Sequence, residues 1–285
     1  MKVARRGILL VMPAVVVFAV IFLAPMAGLV VESFKLFTPG RVGPVEGSPL
    51  TLGNYTELLN ASFFGFFLET FKIGAAATLV GLLFAFPMAY VTARHMSPRL
   101  RALFVGFLIT LMLLSVLVRT YALELTFGSV GILRGLLSYL DISPNSSGYI
   151  ECLVGVGLLH YIIPVAALTL LGTIQNLDSR LVDAAQSLGA PGWKAHLSIT
   201  LPLSMPGILS AFLVSLTFSI SAFVIPMVLG KGRVLFLSNL IFNRFSEIAN
   251  YPSGAAISIV MLIVSLFVVY LVSHFATARW EVARR

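Results

Sequence analysis

The residues whose types and spacing suggest a specific task lie between 183 and 202. They run Asp183-Ala184-Ala185, three residues, Gly189, nine residues, then Ile199-Thr200-Leu201-Pro202. The chemistry they offer is docking rather than bond-making. Residues 177–188 read as a short surface helix, with Leu181, Ala184, Ala185 and Leu188 on one side at three- and four-residue spacing. Gly189, followed by Pro191 and Gly192, ends that helix and turns the chain. A second helical piece, 192–198, then leads into Pro202 and Pro206. Alanines at 184 and 185 carry too little side chain to keep another protein at a distance. The pattern therefore predicts a helix-turn-helix knob built to be gripped.

A second group, Arg119, Tyr121 and Glu124, sits in an otherwise apolar stretch. Burying a charge near a bilayer centre costs at least ~2.5 kcal/mol, so such residues are read as functional first. On a helix Glu124 lies one turn from Thr120 and Tyr121, which would turn an acid and an aromatic ring the same way, as an organic cation prefers. The expectation is that Glu124 and Tyr121 contact substrate near the outer mouth of a transport path. A competing reading pairs Glu124 with Arg119 or places it simply at the membrane interface. Ser215, Thr217, Ser219 and Ser221 are expected to bond back to their own helix or to contact a neighbouring one, with lining of a transport path as the other reading, and His160 with Tyr161 to be a packed interior pair.

Other chemistries lack their residues. Gly230-Lys231-Gly232 has neither the glycine spacing nor the hydroxyl of a phosphate-cradling loop, so ATP is expected to be held elsewhere. No nucleophile elbow, His-Glu-x-x-His motif or paired carboxylate points to an enzyme. His95, His160, His196 and His274 are scattered and predict no metal site, and Cys152, alone, allows no disulfide within the chain.

The elements that must position these residues are membrane helices. Of the 285 residues 59% are hydrophobic and 11% charged, far from a soluble composition. A spanning helix needs ~20 apolar residues, and six apolar runs qualify: 7–31, 73–93, 102–118, 152–177, 197–230 and 252–278. The third is expected to continue past Arg119 toward Phe127. The first is too long for a signal peptide and holds Pro13 and Pro25, so it reads as a retained helix. With six spans, one side of the membrane collects Lys2, Arg5, Arg6, Arg94, Arg99, Arg101, Arg180, Lys194, Arg279, Arg284 and Arg285 against Asp178, Asp183 and Glu281. The whole formal charge of +8 therefore falls there, and the positive-inside rule makes that side, with both termini, cytoplasmic. The charge reports topology and anionic lipid, not nucleic acid.

Between the spans no stretch is polar or long enough to fold alone, so a single domain, 1–285, is expected. Asn54 to Leu59 suggests a short amphipathic helix at the membrane face, and Pro144-Asn145-Ser146-Ser147-Gly148 a turn. Ala77, Gly81, Ala85, Ala89 and Ala93 recur every fourth residue, a stripe that lets two helix backbones approach closely. Pro87 and Pro164 predict bends. No internal repeat of the secondary-transporter kind is visible.

The 183–202 pattern resembles the Glu-Ala-Ala motif of binding-protein-dependent ABC importer permeases. Every spacing agrees, and the one departure is Asp183 where the family usually carries Glu. The resemblance implies an all-α, polytopic membrane bundle of the type I importer permease fold. It also implies a coupling loop, 178–202, in which Asp183, Ala184, Ala185, Gly189, Ile199, Leu201 and Pro202 seat in a cleft of an ATPase subunit. The implied partners are an ATPase dimer that binds ATP and Mg, a second permease and a periplasmic substrate-binding protein. Leu52-Gly53-Asn54-Tyr55, Phe86-Pro87-Met88-Ala89-Tyr90 and Val118-Arg119-Thr120-Tyr121-Ala122 with Gly131-Ile132-Leu133 look like the spermidine/putrescine permeases, PotB-like with a PotC-like partner. Related permeases carry opines, amino-acid derivatives and phosphonates. An apolar residue is usual near position 124 in the family, which leaves a changed substrate as the other reading of Glu124. A stand-alone secondary transporter is the rival from another class, and it would need no coupling loop.

Overall fold

The computed structural model describes residues 11–284 apart from Glu46 and Ser48; the side chains of Ala61 and of 275–284 fall outside the description. Lys2, Arg5, Arg6, the start of the first apolar run and Arg285 lie outside the described residues, as do the side chains of Arg279, Glu281 and Arg284. The described chain is helical, and its one extended pairing is an isolated bridge between Phe37 and Pro44.

The helices, in chain order, are α1 (Val11–Ser33), with a π-helical stretch at Ala19–Leu23, and α2 (Gly53–Thr56), which runs into a 3-10 turn, Glu57–Leu59. Then come α3 (Ala61–Arg94), α4 (Pro98–Leu113), α5 (Val116–Phe127), α6 (Arg134–Tyr139) and α7 (Ser147–Gln175). The remainder are α8 (Arg180–Ser187), α9 (Gly192–Leu203), α10 (Met205–Ile220), α11 (Val224–Leu229), α12 (Leu237–Phe242) and α13 (Tyr251–Arg284). Four described helices are long and apolar enough to span a bilayer, and six spans result if α4 with α5 and α9 with α10 each count as one bent span.

Those bends correct two expectations. The third apolar run is not one continuing helix: α4 and α5 meet at 90°, because Leu114 (ψ 135°) and Ser115 (ψ 128°) are extended. The fifth run breaks after Ile220, where Ser221 closes α10 and α11 begins at Val224. Pro87 and Pro164 lie within the continuous helices α3 and α7. The second span also begins earlier than its apolar run. Glu69 and Lys72 interrupt the hydropathy but not the helix, and Lys72 meets Glu151 of α7 at 2.9 Å.

Two compact units divide the chain, one comprising the residues up to Gly65 with Leu240–Leu266, the other Phe66–Asn239 with Phe267–Arg285. In the first, α1 is exposed along nearly all its length. Its end is capped from a distance: the Asn54 amide donates to the carbonyls of Ser33 and Lys35 at 2.8 and 2.9 Å, and Ser33 Oγ lies 2.7 Å from Tyr55 Oη. Such carbonyls have no partner within a helix and must find one outside it. The segment expected as an amphipathic helix is thus α2 and its 3-10 extension, and its buried residue, Asn54, is a cap.

The second unit is organised around α7, buried at intervals from Ile150 to Ile174. Toward its N-terminal half, Ile150, Val154, Leu158 and Ile162 pack with Ile73 and Ala77 of α3 and with Ile225 and Leu229 of α11. Toward its C-terminal half, Ala166, Leu170 and Ile174 pack with Ala85, Ala89 and Ala93 of α3, Leu108 of α4 and Ala211 of α10. The small-residue stripe is therefore a packing seam, and at Gly81 even a Cβ would lie 2.5 Å from the Ile162 side chain. The tight α3–α4 turn is held by Arg101, which donates to the carbonyls of Thr92 at 3.0 Å and Ala93 at 2.7 Å.

Candidate functional site

The 183–202 segment folds as a knob made of α8 and α9. Arg180 N–H bonds to Asp178 Oδ1 at 3.0 Å, so the first helix begins there rather than at Leu177. It ends in a Schellman-type closure: Ala190 N–H reaches the Ala185 carbonyl at 3.1 Å while Gly189 takes φ +88°. Around Gly189 a Cβ would meet nothing within 4 Å, so glycine is required there by the backbone angle, not by crowding. Beyond Ser198 the second helix runs on through a π-helical stretch, His196–Thr200, to Leu203, and the chain bends by 66° into α10.

Asp183, Ala184, Gly189 and Pro202 are exposed, whereas Ala185, Ile199 and Leu201 are half-buried against the rest of the knob. Leu181, Leu188, Trp193 and Leu197 are also exposed, Leu188 at 90%, so the knob presents large apolar side chains that none of the described residues covers. Its root is stiff. Ala195 is fully buried, the His196 ring stands edge-on to Tyr90 at 4.9 Å, and Arg94 of α3 bonds to the carbonyls of Ile174 and Leu177. Behind the knob lies a cavity of about 240 Å³ lined by Tyr90, Arg94, His95, Asp178, Asp183 and Ile199 among others.

The second candidate group lies where α5 and α11 pack together on α7. Arg119 is 8% exposed, and its Nε, Nη1 and Nη2 are buried without a hydrogen-bond acceptor. The guanidinium instead lies over the Tyr161 ring, 5.4 Å from its centroid. A small cavity bounded by Val116, Thr120, Leu123, Gly157 and Ile225 adjoins it. Tyr121 is half exposed, and Thr120 bonds back to the Val116 carbonyl at 2.7 Å. Glu124 makes its ion pair with Lys231, Oε1 to Nζ at 2.9 Å, and not with Arg119. Lys231 also donates to Ser129 Oγ at 3.1 Å. Sequence reasoning missed Lys231; its signal was a lone cation between glycines at the end of an apolar run.

The remaining polar residues divide. Thr217 and Ser221 bond back to their own helix at 2.8 Å, whereas Ser215 and Ser219 are buried with unbonded hydroxyls. His160 is exposed midway along α7 rather than packed inside, and beside it the Tyr161 ring meets Phe218 edge-on at 5.3 Å. Among the described residues no three His, Cys, Asp or Glu side chains gather as a metal site.

Apolar helices of spanning length, two of the spans broken, with a stiff projecting knob, are the build of a membrane transport subunit. The family described as the binding-protein-dependent transport system inner membrane component matches residues 78–280, and the chain belongs to it: it is a multi-pass inner-membrane permease of an ABC importer. The spermidine/putrescine transport system permease protein PotB of Haemophilus influenzae is 31% identical over 227 residues, 78% of this chain and 79% of that protein. PotB of Escherichia coli is 31% identical over 216 residues, 75% of this chain and 78% of its own length. The inner membrane ABC transporter permease protein YdcU of Escherichia coli is 24% identical over 268 residues, 89% and 84% of the two chains. In fold, the chain matches a bacterial ABC transporter involved in the import of the acidic polysaccharide alginate, with TM-score 0.74 at 17% identity over 97% of both chains.

Proposed function

We propose that this chain is the PotB-like permease half of a polyamine importer, passing spermidine or putrescine from periplasm to cytoplasm while a partner ATPase dimer binds ATP and Mg and hydrolyses the nucleotide. The observation that carries the coupling part is the knob: α8 and α9 present Asp183, Ala184 and Gly189 beside the exposed Leu188 and Trp193. Apolar surface of that size is stable when another protein covers it. The likeness to PotB over three quarters of the chain supports the cargo class.

In this reading both termini and the knob are cytoplasmic, and the chain itself performs no catalysis. A PotC-like permease completes the path, and a periplasmic binding protein delivers the cargo at the opposite face. Closure of the ATPase dimer moves the knob; because Arg94 and His196 tie its root to α3 and α7, the motion passes to the bundle as a rigid-body shift. The bend between α4 and α5 and the break between α10 and α11 supply hinges, and discontinuous helices form transport sites in other membrane proteins.

Uptake of labelled putrescine and spermidine into proteoliposomes holding the complete importer tests the assignment. ATP-dependent accumulation of either is expected. Accumulation of an opine, an amino-acid derivative or an aminophosphonate in their place would overturn the cargo class and leave the permease role standing.

A further inference from the structure

We propose that the Glu124 carboxylate is a cargo-ammonium site that Lys231 occupies while the outer mouth is closed, a reading that rests on the polyamine assignment above. Glu124 stands in the last turn of α5, and Lys231 follows Gly230, the cap of α11, so the 2.9 Å pair ties the end of one helix to the end of the other.

The site around this pair is built. At Gly128 a Cβ would fall 2.2 Å from Glu124 Oε1, and at Gly230 a Cβ would fall 2.2 Å from the Val234 carbonyl; the first glycine leaves room for the carboxylate and the second lets the lysine loop turn tightly on itself. Lys231 itself takes φ +49°, a left-handed conformation that favours glycine, so the loop holds a strained residue there to present the ammonium. Glu124 lies at a helix C-terminus, where the backbone dipole adds to the attraction for a cation. Its second oxygen, Oε2, is buried and accepts no hydrogen bond.

The lysine side chain is a primary ammonium on a four-carbon stem, which is the chemistry of one end of a diamine or polyamine. A pocket that fits Lys231 on Glu124 and Ser129 therefore fits a cargo terminus. Exchange of one ammonium for the other keeps the Glu124 carboxylate paired and frees the loop after α11 from α5, the displaced Lys231 turning to solvent. Arrival of cargo is then what unties the two helix ends.

The test is equilibrium binding of labelled putrescine to the assembled permease–ATPase complex in nanodiscs without binding protein, together with its cargo-free ATP hydrolysis. Glu124→Gln is expected to weaken binding roughly tenfold, the scale of one charge-assisted hydrogen bond. Lys231→Gln is expected to tighten it by about threefold, since the resident competitor is gone, and to raise cargo-free hydrolysis. Lys231→Gly, which removes the competing ammonium and suits the φ of +49°, is expected to shift binding the same way and serves if Lys231→Gln fails to fold. A purely structural pair would move Glu124→Gln and Lys231→Gln in the same direction, and that result overturns the exchange while uptake of putrescine by the complete importer keeps the cargo assignment. Absence of uptake by the complete importer overturns both.

Discussion

Arg94, the last residue of α3, reaches across to the end of α7 and donates one guanidinium nitrogen to the main-chain carbonyls of both Ile174 and Leu177. Carbonyls at a helix end have lost their internal partners, so a single side chain from one span closes the end of another at the root of the knob. This joins two spans at the root of the segment proposed to meet the ATPase.

Removing that link should separate hydrolysis from transport. Arg94→Ala loses a charged hydrogen-bond donor worth ~1.5–3 kcal/mol. The number of cargo molecules moved per ATP, measured in proteoliposomes, should fall severalfold while ATP hydrolysis persists. Arg94→Lys should recover part of the loss, since an ammonium lacks the fixed fork of donors.

At Gly189 the expected defect is conformational. A φ of +88° with open space around the missing Cβ means that Gly189→Val costs backbone strain of ~1–2 kcal/mol and no steric clash. Capture of the ATPase by the purified permease should fall about tenfold for Gly189→Val. It should fall less for Gly189→Asn, a residue that tolerates the left-handed region.

The α3–α7 seam sets the opposite case, in which space decides. A methyl at Gly81 would meet Ile162 Cγ2 at 2.5 Å, so Gly81→Ala should destabilise by ~1–3 kcal/mol through overpacking. Ile162→Ala in the same chain, which removes the clashing Cγ2, should cost less beside Gly81→Ala than it does alone, a coupling that a double-mutant cycle of thermal unfolding in detergent would measure.

Arg119 makes a different separation. Its three nitrogens are buried with no acceptor and its guanidinium rests on Tyr161, an arrangement that stabilises the fold poorly. Arg119→Met, similar in reach and without charge, should leave the thermal midpoint unchanged or raise it while cargo uptake falls. A lower midpoint with normal uptake would make the arginine structural.

What could be read from residue order was whatever the chain writes locally. Gly189, Pro191 and Gly192 punctuate the knob, and the four-residue rhythm from Ala77 to Ala93 marks the seam, because each rests on neighbours in sequence. The breaks at Leu114-Ser115 and Ser221-Ala222-Phe223 carry no glycine or proline, so packing against α7 and not local preference sets them. The partners of Glu124 and Lys72 come from other helices, and a single sequence does not state which distant charges meet. Hydropathy also misplaced the start of α3, since Lys72 is neutralised by Glu151 and costs the helix little.

The most direct test is uptake of labelled spermidine into proteoliposomes that hold the permease pair with its ATPase, loaded with binding protein and cargo at one face and ATP at the face bearing the knob. Accumulation that requires ATP, and that stops when the ATPase is omitted or Gly189 is replaced by Val, is the expected result. Accumulation by this chain without the ATPase, driven by an ion gradient, would contradict its role as the coupled permease of an importer.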